Sequence, residues 1–242
     1  MEKLIVQQKS IIPACDIANQ AKLEEIVIAT TDIPGIGAYK LGLRLGLRGL
    51  EIAVKIIRRH NKLPIIYDHQ KGGTDIPDLG EGFAQDLKSF GINAVILYPF
   101  SGAATERKWI KACQDAGLVI LIGGHMTHPE FLESEGGFIA DSAPKQIYTI
   151  AADNGVINFV VPGNKPKFAL KYRQLLEKLL DLGNFTLYAP GFSGKQGGSI
   201  SKIDTILGNN WHAIVGSDIC KFEGVENIRN ATLKFTFQIA RA

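Results

Sequence analysis

The sequence has few cysteines, and none is placed for a cross-link or a metal cluster. Three occur in 242 residues, Cys15, Cys113 and Cys220, and no pair has the Cys-x-x-Cys spacing. This pattern argues against a disulfide framework and a zinc site. Cys15 falls within a predicted strand, where packing is its expected role. His125 and His128 lack a third ligand at a fitting spacing, so we predict no metal site.

Long apolar runs and clusters of basic residues are also absent. No run approaches the roughly 20 apolar residues that a helix needs to cross a bilayer. The first ten residues lack the apolar centre of a secretion signal. Lysine and arginine are scattered, and the net charge is only +3. We therefore expect a cytoplasmic protein that binds neither membranes nor nucleic acid.

The common glycine-rich nucleotide motifs are incomplete. Gly35-Ile-Gly37 lacks the third glycine of a dinucleotide fingerprint and precedes a predicted strand. Gly191-Phe-Ser-Gly-Lys195 is too short for a P-loop and is followed by glutamine where serine or threonine is needed. Neither segment supports dinucleotide binding or P-loop chemistry.

The chain does contain a regular alternation of strand and helix patterns. Predicted strands lie at 10–15, 38–41, 64–67, 94–98, 118–122, 158–161, 185–188 and 212–215. Predicted helices lie at 19–29, 50–60, 79–89, 105–116, 143–153, 166–182, 200–207 and 224–240. Such alternation requires a parallel sheet. Eight units in this length predict an α/β fold, one (β/α)8 TIM barrel forming a single domain over 1–242.

Charged, polar, glycine or proline residues lie at or just after the ends of most predicted strands. In chain order they are Asp16, Lys40, Asp68, Lys71, Asp75, Thr127, Pro190, Gln196, Gly197, Gly216 and Ser217. In a TIM barrel the carboxyl ends of the strands meet at one face, so these residues are expected to converge. Glycines after strands 7 and 8 are typical of a phosphate site. Taken alone, the Asp68, Lys71 and Asp75 trio could instead be a solvated surface ion pair.

Five short motifs follow one another along this predicted barrel. They are Ala-Cys-Asp16-Ile, Tyr-Lys40-Leu-Gly, Asp68-x-x-Lys71-x-x-x-Asp75-Ile, Met-Thr127-His-Pro, and Pro190-Gly followed by Gln196-Gly-Gly. In this order they resemble orotidine 5′-phosphate decarboxylase, most closely its archaeal members. The resemblance covers almost the whole barrel, and the Asp-Lys-Asp motif is its most specific part.

The resemblance implies a reaction and roles for these residues. Orotidine 5′-phosphate (OMP) would lose CO2 to give UMP in pyrimidine biosynthesis, without a metal ion or an organic cofactor. Lys71 would donate the proton to the carbanion-like centre, and Asp68 would favour its ammonium form. Lys40 and Asp75 would complete a coupled array of alternating charges.

The same resemblance implies how the substrate is held. Thr127 would bind the pyrimidine edge, and Gln196, Gly216 and Ser217 would bind the phosphate. Asp16, Pro190 and Gly197 complete the set of implied substrate-binding positions. Asp75 would come from the neighbouring subunit, which implies a homodimer with shared active sites.

Two departures from the family pattern stand out. The spacing between Asp68, Lys71 and Asp75 is three and four residues rather than two and three. Strand alternation would turn Lys71 away from Asp68 unless the loop begins early or a bulge intervenes. Ser217 stands where the family has a phosphate-binding arginine, and Lys195 or Arg44 could supply the missing cation.

Two other functions stay open on these residues. One is a Mg²⁺-dependent sugar-phosphate decarboxylase or aldolase of the same barrel superfamily, which shares an acidic–Lys–acidic signature. The other is a nucleotide-binding protein without catalysis, suggested by the altered spacing and the absent arginine.

Overall fold

Eight parallel strands close into a barrel in the computed structural model, which describes residues 3–69, 75–181, 183–192 and 197–241. The strands are β1 Lys9–Cys15, β2 Tyr39–Leu41, β3 Ile65–Asp68, β4 Ala94–Leu97, β5 Val119–Gly123, β6 Asn158–Val160, β7 Thr186–Pro190 and β8 Trp211–Val215. Each strand pairs with the next, and β1 pairs with β8 from Lys9↔Trp211 to Pro13↔Val215. The predicted TIM barrel is confirmed.

Helices follow the strands in the described part of the chain. They are α1 Gln20–Thr30, α2 Leu43–Gly46, α3 Leu50–His60, α4 Gly80–Ser89, α5 Ala103–Asp115, α6 Ala143–Asp153, α7 Pro166–Leu179, α8 Ile200–Leu207, α9 Ser217–Cys220 and α10 Val225–Ala240. Short 3₁₀ turns lie at Pro77–Leu79 and Glu133–Glu135. The sequence did not predict α2 and α9, because four residues are too few to show a helical period.

Three predicted boundaries differ by more than one residue: α5 begins at Ala103 rather than at 105, and the ends of β7 and α7 differ for identifiable reasons. Strand β7 continues past 188 to Pro190, whose carbonyl accepts the N–H of Gly163 and which lies opposite Ile214. Helix α7 ends at Leu179 rather than at 182, because the backbone of Leu180 is already extended. The difference at β7 matters here, because it brings the end of that strand against the loop after β6.

The strands alternate between two apolar layers. One face of each strand packs against the helices, and the other fills the barrel with residues such as Ile12, Ala38, Ile66 and Leu121. Successive side chains of a strand point to opposite faces, so residues two apart share a face. The position two after Ala38 is Lys40, and the position two after Ile66 is Asp68. Charged side chains therefore replace apolar ones inside the carboxyl end of the barrel.

The remaining sequence expectations on packing concern the cysteines and membrane helices. Cys15, Cys113 and Cys220 are free and buried, and Cys15 lies within β1 as predicted. Among the described residues, no helix combines the length and the apolar character needed to cross a bilayer.

Candidate active site

Lys40 is the centre of a charged cluster at the carboxyl ends of the first three strands. Lys40 is 2% exposed, and its ammonium contacts the carboxylates of Asp68 and Asp16. Both Asp16 oxygens lie 3.3 Å from Nζ of Lys40, and Asp68 makes a shorter contact. Strands β1, β2 and β3 thus bring together three residues that were predicted to converge.

The electrostatics of this cluster keep Lys40 charged. Burial by itself would lower the pKa of Lys40, but the charges of Asp68 and Asp16, and their hydrogen bonds, outweigh it and raise that pKa. Two carboxylates therefore face one ammonium in this cluster.

Gly42 makes room for the Asp16 carboxylate. A Cβ atom at Gly42 would lie 1.9 Å from Oδ1 of Asp16, well inside any permitted contact. The φ angle of Gly42 is −91°, which other residues adopt readily, so the requirement is for space alone. This explains the glycine two residues after Lys40 in the Tyr-Lys-Leu-Gly motif.

The structure separates the two ends of the Asp-Lys-Asp motif. Asp68 is fully buried at the end of β3, whereas Asp75 is exposed and accepts the N–H of Ile76 at 2.7 Å. Within the described chain no hydrogen bond or ion pair joins Asp75 to Lys40, Asp68 or Asp16. Lys71 lies outside the described residues.

Thr127 lies half-buried in the loop after β5. Its carbonyl oxygen accepts a hydrogen bond of 2.9 Å from Nδ2 of Asn164, which belongs to the loop after β6. Sequence reasoning assigned no role to Asn164. One signal in the sequence could have indicated a role for Asn164. It follows Pro162-Gly163, directly after a predicted strand.

The predicted phosphate residues lie at the ends of β7 and β8. Pro190 ends β7, and the N–H of Gly198 returns to the carbonyl of Gly191 at 3.1 Å. A Cβ atom at Gly198 would lie 2.3 Å from that carbonyl oxygen, so the turn admits only glycine there. Gly197 is exposed with a φ of +72°, a conformation that glycine adopts without strain. Gln196 lies outside the described residues.

Gly216 and Ser217 follow β8 and begin the short helix α9. A Cβ atom at Gly216 would lie 3.7 Å from that of Ala14, so this turn sits beside the end of β1. A short extra helix after β8 is a common part of phosphate sites in these barrels. Ser217 is exposed at its first position. Of the two cations considered as substitutes for arginine, Arg44 is exposed on α2 and Lys195 lies outside the described residues.

A second charged cluster near Thr127 was not predicted. Glu135 and Lys165 form an ion pair of 2.6 Å, and both contact the buried His125 ring. Local sequence patterns do not indicate this cluster, because its residues are 10 to 40 positions apart. No group of three or more His, Cys, Asp or Glu side chains suited to a metal ion occurs in the described portion of the chain.

The chain was compared with known families and curated proteins. No protein-family profile matches it. It is 28% identical over 204 residues to the orotidine 5′-phosphate decarboxylase of Methanosarcina mazei, covering 83% of both chains. It is also 28% identical over 239 residues to the Methanosarcina barkeri enzyme of the same name, covering 97% of this chain and 96% of the relative. The resemblance predicted from the motifs is confirmed.

Solved structures show the same similarity in the fold. The orotidine 5′-monophosphate decarboxylase of Methanocaldococcus jannaschii, in complex with the inhibitor BMP, superposes with a TM-score of 0.81 at 21% identity, covering 96% of this chain and 98% of that one. The Pyrococcus horikoshii enzyme gives a TM-score of 0.76 at 22% identity, covering 95% and 99%. At these identities the comparison establishes a shared barrel.

Proposed function

We propose that this chain is an orotidine 5′-phosphate decarboxylase, a carboxy-lyase that converts OMP to UMP and CO2. The observation that carries the proposal is the buried Lys40 ammonium between Asp16 and Asp68 at the carboxyl end of the barrel. The archaeal decarboxylases to which the chain is similar support it.

The charge balance of the cluster suits the reaction. Asp16, Lys40 and Asp68 together leave an excess negative charge, which the ammonium of Lys71 would neutralise. The bond from the orotate ring to the carboxylate breaks, its electron pair stays on the ring carbon, and CO2 leaves. Lys71 then donates a proton to that carbon. Its positive charge stabilises the developing carbanion before the transfer.

Asp68 contributes through its fixed negative charge. A carboxylate beside Lys71 favours the ammonium form that the proton donor requires. The same charge is repelled by the substrate carboxylate and not by neutral CO2, so its effect favours departure of the product. Because Asp68 is buried and held by Lys40, it cannot turn away to relieve that repulsion.

The rest of the substrate fits the other loops. Thr127 binds the pyrimidine edge, while Gln196, Gly197, Gly216 and Ser217 hold the phosphate, with Pro190 beside them. Asp16, in contact with Lys40, is the remaining substrate-binding position. Phosphate binding far from the reacting carbon supplies energy for orienting the base. No metal ion or organic cofactor takes part in this scheme.

An absorbance assay on OMP, with and without EDTA, tests the proposal. We expect turnover that the chelator leaves unchanged. An enzyme that requires Mg²⁺ and ignores OMP would instead be the sugar-phosphate decarboxylase or aldolase. Binding of UMP without turnover of OMP would identify a non-catalytic nucleotide-binding protein.

A further inference from the structure

We infer that Lys165, paired with Glu135, is a positioning residue that holds Thr127 where it reads the base. This inference rests on the proposed function, because it assigns Thr127 to the pyrimidine. It concerns two segments, the β5 loop (residues 124–142) and the β6 loop (residues 161–165). Neither Lys165 nor Glu135 belongs to the motifs that carry the resemblance.

Lys165 contacts the β5 loop at three separate points. Its Nζ lies 2.6 and 2.8 Å from the two oxygens of Glu135, 2.9 Å from Nε2 of His125 and 3.0 Å from the carbonyl oxygen of His128. An ammonium group has three donors. Glu135, His125 and the His128 carbonyl therefore use its whole donor capacity, and these contacts lie on both sides of Thr127.

Glu135 connects Lys165 to a further point of the same loop. Besides the ion pair with Lys165, its Oε2 accepts the N–H of Leu132 at 3.2 Å. Burial acts to raise the pKa of Glu135, but the hydrogen bonds from Lys165 and Leu132 lower it to about 2. Glu135 is thus ionised at neutral pH, and the ion pair is largely withdrawn from water.

His125 takes part as a neutral ring. Burial, with the charge of Lys165 adding to it, lowers the pKa of His125 to about 4 against the opposing effect of Glu135. Since an ammonium only donates, Nε2 of His125 accepts from Lys165, and Nδ1 donates to the hydroxyl of Tyr172 at 2.8 Å. Tyr172 belongs to α7, so the β5 loop is tied to the helix that follows the β6 loop.

Asn164, the neighbour of Lys165, completes the contact with Thr127 itself. Its Nδ2 donates to the Thr127 carbonyl at 2.9 Å, and Lys165 donates to the next carbonyl along the chain, that of His128. Two successive peptide groups at Thr127 are therefore fixed by two successive residues of the β6 loop. Loss of the Lys165 charge would release the second of them and the ion pair behind it.

The phosphate side of the site is held differently. The β6 loop meets the end of β7 through a backbone hydrogen bond, from the N–H of Gly163 to the carbonyl of Pro190 at 2.8 Å. Gly198 is likewise held by the backbone of Gly191. These bonds do not involve the Lys165 side chain, so its removal should weaken recognition of the base and spare the phosphate.

The experiment compares Lys165→Met with Lys167→Met, the same change at an exposed position of α7 with no ion pair in the described chain. Affinities for UMP and for ribose 5-phosphate, which lacks the base, are measured together with kcat, KM and the melting temperature. In Lys165→Met we expect UMP affinity to fall and KM for OMP to rise about tenfold, typical of a lost charged hydrogen bond. Ribose 5-phosphate affinity and kcat should stay within about twofold, and Lys167→Met should match the wild type on every measure.

Two results would overturn the inference. One is unchanged UMP affinity in folded Lys165→Met, and the other is an equal loss for UMP and ribose 5-phosphate. Glu135→Gln, which keeps an acceptor for Leu132 and removes the charge, provides the same comparison should Lys165→Met not fold. Wild-type protein that fails to bind UMP would overturn the proposed function itself, which separates the two failures.

Discussion

At the scale of single residues, several ionisable side chains of this molecule are buried. Lys40 keeps its charge because two carboxylates compensate its desolvation. Glu106, in the first turn of α5, has no such help. It is 2% exposed, and its Oε1 has no hydrogen-bond partner among the described residues. Burial raises the pKa of Glu106 to about 8, with a small opposing effect from Arg107. Lys40 is therefore buried in its charged form, whereas burial favours the neutral form of Glu106.

Glu106→Gln should therefore change how stability depends on pH. The folded pKa of about 8 lies above the unfolded value of about 4.3, so the contribution of Glu106 to stability is fully present below the unfolded pKa and is lost as pH rises through about 8. Glutamine cannot ionise, so the variant should become the more stable protein as pH rises. Urea unfolding at pH 5 and pH 9 measures this, and the difference should grow by on the order of a few kcal/mol. The exposed Glu81→Gln serves as control, and a pH-independent difference would show that Glu106 does not titrate in this range.

Gly42→Ala should damage the site through a single added methyl group. The new Cβ would displace the Asp16 carboxylate and with it the contact to Lys40. Since a misplacement of about 1 Å can cost about 100-fold, we expect kcat/KM for OMP to fall by roughly 10- to 100-fold.

Gly82→Ala is the matched control for this change. Gly82 lies in α4, and outside its own helix no atom of the described residues lies within 4 Å of its added Cβ, so alanine should leave activity unchanged and stabilise the helix by about 0.5–1 kcal/mol. Steady-state kinetics and thermal unfolding of both variants check the pair. Normal activity in Gly42→Ala would mean that the Asp16–Lys40 contact is dispensable.

At the scale of secondary-structure elements, an aromatic cluster connects α4 and α5 to the residue that follows β3. The ring of His69, next to Asp68, lies 4.4 Å from that of Phe83 and stacks on Trp109 at 5.7 Å. Trp109 also donates its Nε1–H to the carbonyl of Ile76 at 3.1 Å. The cluster therefore holds the residue after Asp68 and the residue after Asp75, the two ends of the Asp-Lys-Asp motif.

Trp109→Phe tests whether this anchor matters for catalysis. The ring stack is largely kept, but the hydrogen bond to Ile76 is lost, at a cost to stability of about 1 kcal/mol. We expect kcat for OMP to fall several-fold, because the segment carrying Asp75 loses its fixed end.

The other tryptophan of the chain provides the comparison. Trp211 donates its Nε1–H to Asp204 at 2.8 Å, but it lies at the start of β8, away from the barrel mouth. Trp211→Phe should lose similar stability and keep its kcat. Equal kcat for the two variants would mean that the Ile76 anchor has no catalytic role.

At the scale of the whole molecule, large apolar side chains are exposed on loops at the carboxyl end of the barrel. The loops after β3, β4 and β5 are neighbours in the barrel, and they expose Ile76, Leu79, Phe100 and Phe138, the last completely. Apolar patches of this kind mark interaction sites. Asp75 is exposed on the first of these loops, which supports the homodimer implied by the resemblance, in which each subunit would complete the other's site.

Mixing two inactive variants tests the shared site. Lys71→Ala lacks the proposed proton donor, and Asp75→Asn lacks the carboxylate proposed to cross the interface. A heterodimer would contain one site with both defects and one with neither. Activity should therefore reappear, approaching a quarter of the wild-type value for random exchange of equal amounts, as measured by OMP turnover. A monomer in solution, or no recovery after verified subunit exchange, would contradict the shared site.

The sequence was sufficient for features that depend on local pattern. Alternating apolar periods of two and 3.6 residues predicted the eight strands and the longer helices, because each element buries one face. Strand ends then placed Asp16, Lys40 and Asp68 at one face of the barrel, and the structure brings these three into contact. The roles of Lys71 and Gln196 stay predictions from the resemblance.

Only the tertiary structure decided which distant residues meet. The Lys165–Glu135 and Asn164–Thr127 contacts join residues 30 and 37 positions apart, and they depend on how two neighbouring loops pack. The same holds for Gly42, whose missing side chain matters only because Asp16 occupies that space. Local pattern determines the faces that each element buries. The register of a closed barrel determines which loops become neighbours, and therefore which charges pair, which stay unpaired and which positions have no room for a Cβ atom.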